Sequence, residues 1–159
     1  MQRLTIRKAT EADATAVLVC LRAAFEPYRD HYTADAFADT VLTPETLQHR
    51  LASMCVFVAI NEDKDVVGTV ACSIIGEGEG HVRGMAVLPV WQGRGVAERL
   101  LRVAEDELAA GICSRITLDT TEPLQRAMRF YERHGYRRSG KITDFFGMPL
   151  HEYGKDLSR

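Results

Sequence analysis

Two glycines flank an arginine in the stretch VLPVWQGRGVAERLL, residues 87–101, and their spacing could serve chemistry. Glycine between a short apolar run and a helical pattern lets the backbone come close to a neighbour. The unpaired N–H groups at a helix start favour an anion such as a phosphate. The glycines alone leave two interpretations open: a phosphate cradle, or a tight turn that packs a helix against a strand.

Two common phosphate-binding loops do not fit these residues. The Walker loop requires glycine, lysine and then serine or threonine, and no such run occurs in the sequence. The dinucleotide fingerprint fits Gly93 and Gly95, but Glu98 occupies the position of its third glycine. What remains is the pattern Gln-x-x-Gly-x-Ala, which is filled by Gln92, Gly95 and Ala97.

A second motif, AMRFYERHGY, lies one strand and one helix further along, at residues 127–136. Together the two motifs resemble the signatures of the GNAT superfamily, the acetyl-CoA-dependent N-acetyltransferases. LTIRKATEADATAV near the start and the hairpin VAINEDKDVVGTVA are similar to the family's first elements, so the resemblance covers nearly all of the 159 residues in the right order. It implies one N-acetyltransferase domain over residues 1–159, with the family's acyl-CoA N-acyltransferase fold.

The resemblance also implies where acetyl-CoA binds as co-substrate. The N–H groups of the glycine loop would face its pyrophosphate, and the fourth strand would splay from the fifth so that the pantetheine arm inserts between them. Leu124 stands where many members carry an asparagine that binds the pantetheine, so either a neighbour such as Thr120 or Thr121 replaces that contact or the contact is missing. The residues expected to bind the coenzyme are Met85, Ala86, Val87, Gln92, Gly93, Arg94, Gly95, Val96, Ala97, Glu98 and Tyr131.

The family's reaction is direct attack of an amine on the acetyl thioester, without a covalent enzyme intermediate. The resemblance assigns Tyr131 as the acid that protonates the departing thiolate or as a group that positions the sulfur, although its helical spacing alone favours a core aromatic. His81 is the first candidate for the base, because a histidine titrates near neutrality. Glu77 and Glu79, in the glycine-rich run just before it, are alternative bases, and ordered water without any side-chain base is a further alternative.

The family binds its acceptor through variable segments, here FEPYRDHYTADAF and ITDFFGMPLHEY. Arg83 shares a strand face with His81 by period-two alternation and could hold a substrate carboxylate. The substrate-binding candidates are Tyr28, Tyr32, Arg83 and Phe146. These residues suit a small-molecule amine, an amino acid or a peptide N-terminus, and they do not decide among the three.

The composition argues against several other classes of function. The formal net charge of −2 and a pI near 6.2 argue against non-specific nucleic-acid binding. Four separated cysteines without a C-x-x-C pair argue against a zinc site, and no other metal is expected. No apolar run approaches the roughly 20 residues of a membrane span, so we expect a cytoplasmic protein, and the resemblance allows a homodimer. The rival function is a non-catalytic acyl-CoA-binding sensor or complex subunit of the same fold.

The elements that position these residues are predicted from periodicity and caps. The order is β-α-α-β-β-β-α-β-α-β-β, an α+β or mixed α/β class with about seven strands and about four helices. The sheet is expected to be mixed and mostly antiparallel, with a parallel crossover around Gly95. The predicted helices cover residues 11–25, a segment that starts at Thr43–Pro44, residues 95 to about 110, and the run PLQRAMRFYERHG.

Overall fold

A computed structural model describes residues 3–157, and its centre is one seven-stranded sheet in the order β1-β2-β3-β4-β5-β7-β6. Five α-helices flank the described sheet, and short 3₁₀ turns precede or follow several of them. The strands are β1 (Thr5–Lys8), β2 (Cys55–Ile60), β3 (Val66–Gly76), β4 (Glu79–Val87), β5 (Arg115–Thr121), β6 (Arg137–Phe145) and β7 (Met148–Asp156). The helices are α1 (Ala14–Phe25), α2 (Ala34–Val41), α3 (Pro44–Ser53), α4 (Val96–Ala110) and α5 (Gln125–Arg133).

The sheet is mixed, as the sequence predicts. Strands β4 and β5 run parallel, and every other neighbouring pair of the described sheet is antiparallel. A parallel pair needs a long crossover, and α4 supplies it between β4 and β5. This connection places the start of α4 directly beyond the end of β4.

Helices cover both faces of the sheet. On one face α1 and α3 bury a cluster around Val17, Leu21 and Leu47. On the other face α4 and α5 bury a larger cluster that includes Leu100 and Tyr131. Burial of one such side chain contributes about 1.5–3 kcal/mol. Because both faces are covered, β2 reads as the continuous apolar run CVFVAI rather than as an alternating strand.

Helix α2 is the element that the sequence prediction lacks. It is short, and only its first four residues, ADAF, fall within the segment that was expected to bind the acceptor. Its start signal is nevertheless present, because the Thr33 hydroxyl accepts a hydrogen bond from the Ala36 N–H at 3.2 Å, as an N-cap does. The structure therefore has five α-helices where about four were expected. Within residues 3–157, none of the helices has the length and apolarity required to cross a membrane.

Candidate functional site

A cleft opens where two strands of the sheet separate. The parallel pairing of β4 and β5 ends at Val82 and Leu118, yet β4 continues to Val87 and β5 continues to Thr121. The two strand ends diverge and become opposite walls of a cleft of about 660 Å³. The splay that the family resemblance implies is therefore present.

The separation begins at a bulge in β4. Thr69 pairs with Ala86 but Ala71 pairs with Arg83, so three steps along β4 oppose two steps along β3. An inserted residue of this kind bends the bulged strand and increases its twist. Gly84 lies within the bulge with a φ of 66°, the left-handed region in which glycine is favoured. The sequence thus opens the sheet at a defined residue.

The glycine loop lies at one end of the cleft. Gly93 and Gly95 have φ values of 78° and 82°, which explains both glycines by backbone conformation. A Cβ at Gly95 would meet nothing within 4 Å, so this glycine does not serve tight packing. The first N–H that finds a helical carbonyl belongs to Arg99, which bonds Gly95 at 3.2 Å. The preceding N–H groups, from residue 93 to residue 98, have no backbone acceptor within the described chain.

Side chains brace this loop and add charge beside it. The Gln92 amide donates to the Val87 carbonyl at 3.0 Å, and its oxygen accepts from Arg126 at 3.3 Å. Gln92 therefore ties the end of β4 to α5. The Glu98 carboxylate also lines the cleft, where Arg102 partly neutralises it at 3.2 Å.

Arg94 is the one expected coenzyme-binding residue that does not line the cleft. Its guanidinium lies over the Trp91 ring, 5.1 Å from the centroid. The other ten expected residues line the cleft, namely Met85, Ala86, Val87, Gln92, Gly93, Gly95, Val96, Ala97, Glu98 and Tyr131. Leu124, Thr120 and Thr121 also line it, so both proposed replacements for the family's asparagine are in place.

Tyr131 projects from α5 into the middle of the cleft wall. Its residue is 7% exposed, and its ring packs edge-on against Phe130 and Tyr136. Its hydroxyl has no hydrogen-bond partner among the described residues. Burial raises the pKa of Tyr131 well above its usual value, so the hydroxyl stays protonated at neutral pH. An uncommitted O–H that faces the cleft is chemically suited to donate a proton.

His81 lies on the opposite side of the same cleft, with two partners from β5. Its Nδ1 is 2.9 Å from the Thr117 hydroxyl, and its Nε2 is 3.5 Å from an Asp119 carboxylate oxygen. Burial lowers the pKa of His81, while the Asp119 charge opposes that change. Burial likewise raises the pKa of Asp119. The imidazole is therefore held mainly neutral at pH 7, the form that accepts a proton.

Asp119 was not predicted, although a signal for it existed. His81 and Thr117 are register partners in β4 and β5, and Asp119 follows on the same face of β5 two residues later. Glu79, one of the alternative bases, is placed differently. It lies before the splay, where Arg115 binds its carboxylate at 2.7 Å, and it does not line the cleft.

The far end of the cleft is walled by the acceptor candidates. Tyr28, Tyr32 and Arg83 all line it, and the Tyr32 hydroxyl is 2.7 Å from that of Thr121. Arg83 lies 3.8 Å from Asp39. Phe146 is not brought to this surface, since it occupies the β6–β7 turn with a φ of 49° and is 51% exposed.

A residue outside the prediction, Arg50 of α3, also lines this end. Only 8% of it is exposed. The sequence carries a faint signal, because Arg50 follows Leu47 by three positions and so shares the apolar face of the predicted helix. Burial, and secondarily Arg83, lower the pKa of Arg50 to about 10, which keeps it charged at pH 7.

The cysteines do not offer a nucleophile to this cleft. Cys20, Cys72 and Cys113 are buried, and Cys55 is half-buried. Burial raises the pKa of both Cys20 and Cys72 to about 12, so these thiols remain protonated. No cysteine lines the cleft within the described chain.

The chain matches known proteins in both sequence and structure. The model of the acetyltransferase (GNAT) family matches residues 17–136. An uncharacterised Bacillus subtilis protein, YdhI, is 27% identical over 111 residues, which cover 67% of this chain and 68% of that protein. N-alpha-acetyltransferase 30 of Schizosaccharomyces pombe is 25% identical over 93 residues, 57% of this chain and 62% of the yeast protein. The match therefore spans less than two thirds of the yeast relative.

The fold is similar to that of a Thermoplasma acidophilum enzyme. The crystal structure of its PaiA N-acetyltransferase, in complex with coenzyme A, superposes with a TM-score of 0.81 at 16% identity. The superposition covers 98% of this chain and 99% of the archaeal chain. At this identity the likeness concerns the fold.

Proposed function

Since the chain belongs to the acetyltransferase (GNAT) family, we propose that it transfers the acetyl group of acetyl-CoA to a primary amine. The acceptor is a small molecule, an amino acid or a peptide N-terminus. Acetyl-CoA is the co-substrate of this family. The observation that carries the proposal is that one cleft joins the glycine loop, an opened strand edge, the uncommitted Tyr131 hydroxyl and the His81 imidazole.

The residues that are present fit the coenzyme. The free N–H groups of residues 93–97 would bind its pyrophosphate, assisted by the positive end of α4. The unpaired edge of β4 at Met85 would bind a pantetheine amide, as an added strand does. Ala86 instead pairs with Thr69 of β3, and its carbonyl also accepts from the Cys20 thiol at 3.8 Å. The Val87 carbonyl already accepts from Gln92, so it is the least available group of this edge. Bound in this way, the coenzyme supplies an activated acetyl thioester.

His81 is the proposed base. An amine must lose a proton to become nucleophilic. With its Nδ1–H donated to the Thr117 hydroxyl, the neutral imidazole of His81 would take that proton at Nε2, directly or through one water. Asp119, 3.5 Å from Nε2, would then stabilise the imidazolium. Thr117 fixes the ring through Nδ1. A histidine oriented by a hydroxyl and a carboxylate is a common arrangement for proton transfer.

Tyr131 is the proposed acid. The thiolate that leaves the acetyl group requires a proton or a hydrogen bond, and the Tyr131 hydroxyl has no competing partner in the described chain. Its raised pKa keeps the proton on the hydroxyl until a stronger base arrives. The base and the acid thus belong to different elements of the same cleft, His81 to β4 and Tyr131 to α5.

Two measurements test the proposal. Titration with acetyl-CoA should raise the unfolding temperature of the chain, and thiol release should follow when a panel of primary amines is added. Stabilisation without thiol release from any amine would favour the acyl-CoA sensor instead. An unchanged unfolding temperature at millimolar acetyl-CoA would contradict both functions, because binding to the folded state must stabilise it.

A further inference from the structure

Arg50 carries a buried charge that the fold does not neutralise. The residue is 8% exposed, and its guanidinium makes no hydrogen bond or ion pair within residues 3–157. Because no buried side-chain nitrogen of the described chain lacks a partner, the guanidinium nitrogens reach the open cleft. Its nearest charged neighbours are Asp39 and Arg83, and Asp39 lies 3.8 Å from Arg83. Asp39 is therefore the ion-pair partner of Arg83 and not of Arg50, which leaves this corner of the cleft with an excess positive charge.

An unpaired guanidinium on a mostly buried residue lowers the free energy of unfolding. Arg and Lys are almost never fully buried without a partner, because desolvating a charge costs free energy that only a counter-charge recovers. At a helix position that faces the core, as Arg50 does beside Leu47, leucine or methionine would give a more stable folded chain. Arg50 is not explained by its contacts in the folded chain.

The position of Arg50 points to the reacting end of the cleft. Its Nη1 would lie only 2.5 Å from a Cβ placed on Gly84, so the guanidinium packs directly on the β4 bulge where the strands begin to part. His81 lies three residues earlier on the same strand and lines the same cleft. The phosphate-binding loop lies beyond Val87, in the opposite direction along the chain.

We propose that Arg50, together with Arg83, binds the carboxylate of the acceptor, so that the acceptor is a free amino acid rather than a simple amine or a peptide N-terminus. A guanidinium binds a carboxylate through paired, charge-assisted hydrogen bonds, which would complete the unsatisfied group. The neighbouring rings of Phe25, Tyr28 and Tyr32 leave an apolar surface for the amino acid's side chain. The inference rests on the proposed acetyltransferase function, which it narrows to one substrate class.

The test compares matched acceptors in the wild type and in Arg50→Met. The twenty L-amino acids and their amides carry the same amine and side chain, but the amides lack the carboxylate. We expect the wild type to favour its best acid over the matching amide, and Arg50→Met to lose about 30- to 1,000-fold in kcat/KM for the acid alone. The coenzyme Kd should not change. Equal loss for acid and amide, or a wild type without preference for acids, would overturn the assignment.

Two further variants serve as controls. Arg50→Lys keeps the charge without the paired geometry and should retain part of the preference for the acid. Lys8→Met removes an exposed positive charge on β1, outside the cleft, and should leave the preference unchanged. Because Arg50 has no partner to lose, Arg50→Met should unfold at the same temperature as the wild type or higher. A marked fall would assign Arg50 a structural role and overturn the proposal.

A binding measurement separates this inference from the proposed function. If no amine is acetylated, the acetyltransferase proposal fails, and thermal shifts with the free amino acids and their amides decide the role of Arg50. Stabilisation by an acid, absent with its amide and absent in Arg50→Met, would still support a carboxylate site. Absence of any difference between acids and amides would refute it.

Discussion

At the coenzyme end the cleft is lined by one short stretch, residues 92–98 apart from Arg94, whose N–H groups lack backbone acceptors from residue 93 onward, whereas at the acceptor end it is lined by side chains from separate elements. Tyr32 belongs to the turn that precedes α2, Arg50 to α3, Arg83 to β4 and Thr121 to β5. A main-chain site depends on backbone conformation, and so it tolerates most side chains but requires glycine where φ is positive. A side-chain site depends on residue identity at positions that only the fold brings together.

This difference has a functional meaning. The ligand of the coenzyme end has constant chemistry, a pyrophosphate, and repeated N–H groups are sufficient for it. The acceptor end must distinguish amines from one another, and for that it uses individual charged and aromatic groups. The comparison predicts two separate effects. Substitutions at the coenzyme end should change the affinity for coenzyme, and substitutions elsewhere in the cleft should change turnover or acceptor preference.

The largest effect is expected from Gly95→Glu. The new carboxylate would stand in the open space above the N–H groups, opposite a pyrophosphate, and its backbone would be strained at a φ of 82°. We expect the Kd for acetyl-CoA, measured by calorimetry, to rise about 1,000-fold, because opposed like charges cost several kcal/mol.

Gly140→Glu is the matched control for this change. Gly140 has a φ of 94° and an equally open Cβ position, but it lies on β6, away from the cleft. It should lose similar stability and keep its coenzyme affinity. Equal weakening of coenzyme binding in both variants would show that strain, and not the site, is responsible.

A smaller effect, confined to turnover, is expected from Tyr131→Phe. Loss of the hydroxyl should lower kcat about 100-fold, within the range of general acid catalysis, and leave the coenzyme Kd unchanged. Tyr136→Phe is the converse control, since that hydroxyl donates to Glu105 at 2.7 Å. It should lose about 1 kcal/mol of stability and retain turnover. Unchanged kcat in Tyr131→Phe would remove the acid role.

The smallest effect is a displaced pH profile. His81 must be unprotonated to act as a base, so kcat/KM should rise with pH through a limb that lies below the usual histidine value, because burial lowers the pKa of His81. The charges that surround His81 are Asp119, Glu152 and Glu79, which raise its pKa, and Arg83, which lowers it. Asp119→Asn removes the strongest of the raising charges and should move the limb to still lower pH.

Asp106→Asn is the control for this displacement. Asp106 is exposed on α4 and does not line the cleft, so its profile should coincide with that of the wild type. If the limb stays in place in Asp119→Asn, the titration belongs to another group. The same conclusion follows if the limb persists when His81 is replaced by glutamine.

Much of the fold could be predicted because its signals are local. The buried positions of α4, at Val96, Leu100, Leu101, Ala104 and Leu108, follow helical spacing, and the strand–helix–strand order around them requires a parallel crossover. Helix α2 escaped prediction because it is only eight residues long, although Ala36, Phe37 and Val41 share its buried face. Its cap at Thr33 was the remaining signal.

The site residues also fall into two groups, those with a local sequence signal and those that only the fold brings together. The glycine loop was predicted as a cradle because all of its donors come from one short stretch. Arg50 and Asp119 were not predicted, since their positions depend on helix packing and on the β4–β5 register. Glu79 and Phe146 were predicted as site residues from their neighbourhood in sequence, but Glu79 precedes the splay and Phe146 occupies a turn. A residue that is close in sequence to the site is therefore not necessarily in it, because strand register decides which side chains line the cleft.

The bulge at Gly84 leaves two strand edges unpaired in the interior of a sheet rather than at its margin. Unpaired edges expose main-chain groups that seek partners, and natural proteins generally cover them. Any ligand that fills the gap between β4 and β5 completes the sheet and stabilises the folded chain by mass action. The resistance of this protein to proteolysis in a cell would therefore rise and fall with the supply of coenzyme, so that its abundance would be linked to the acetyl-CoA pool.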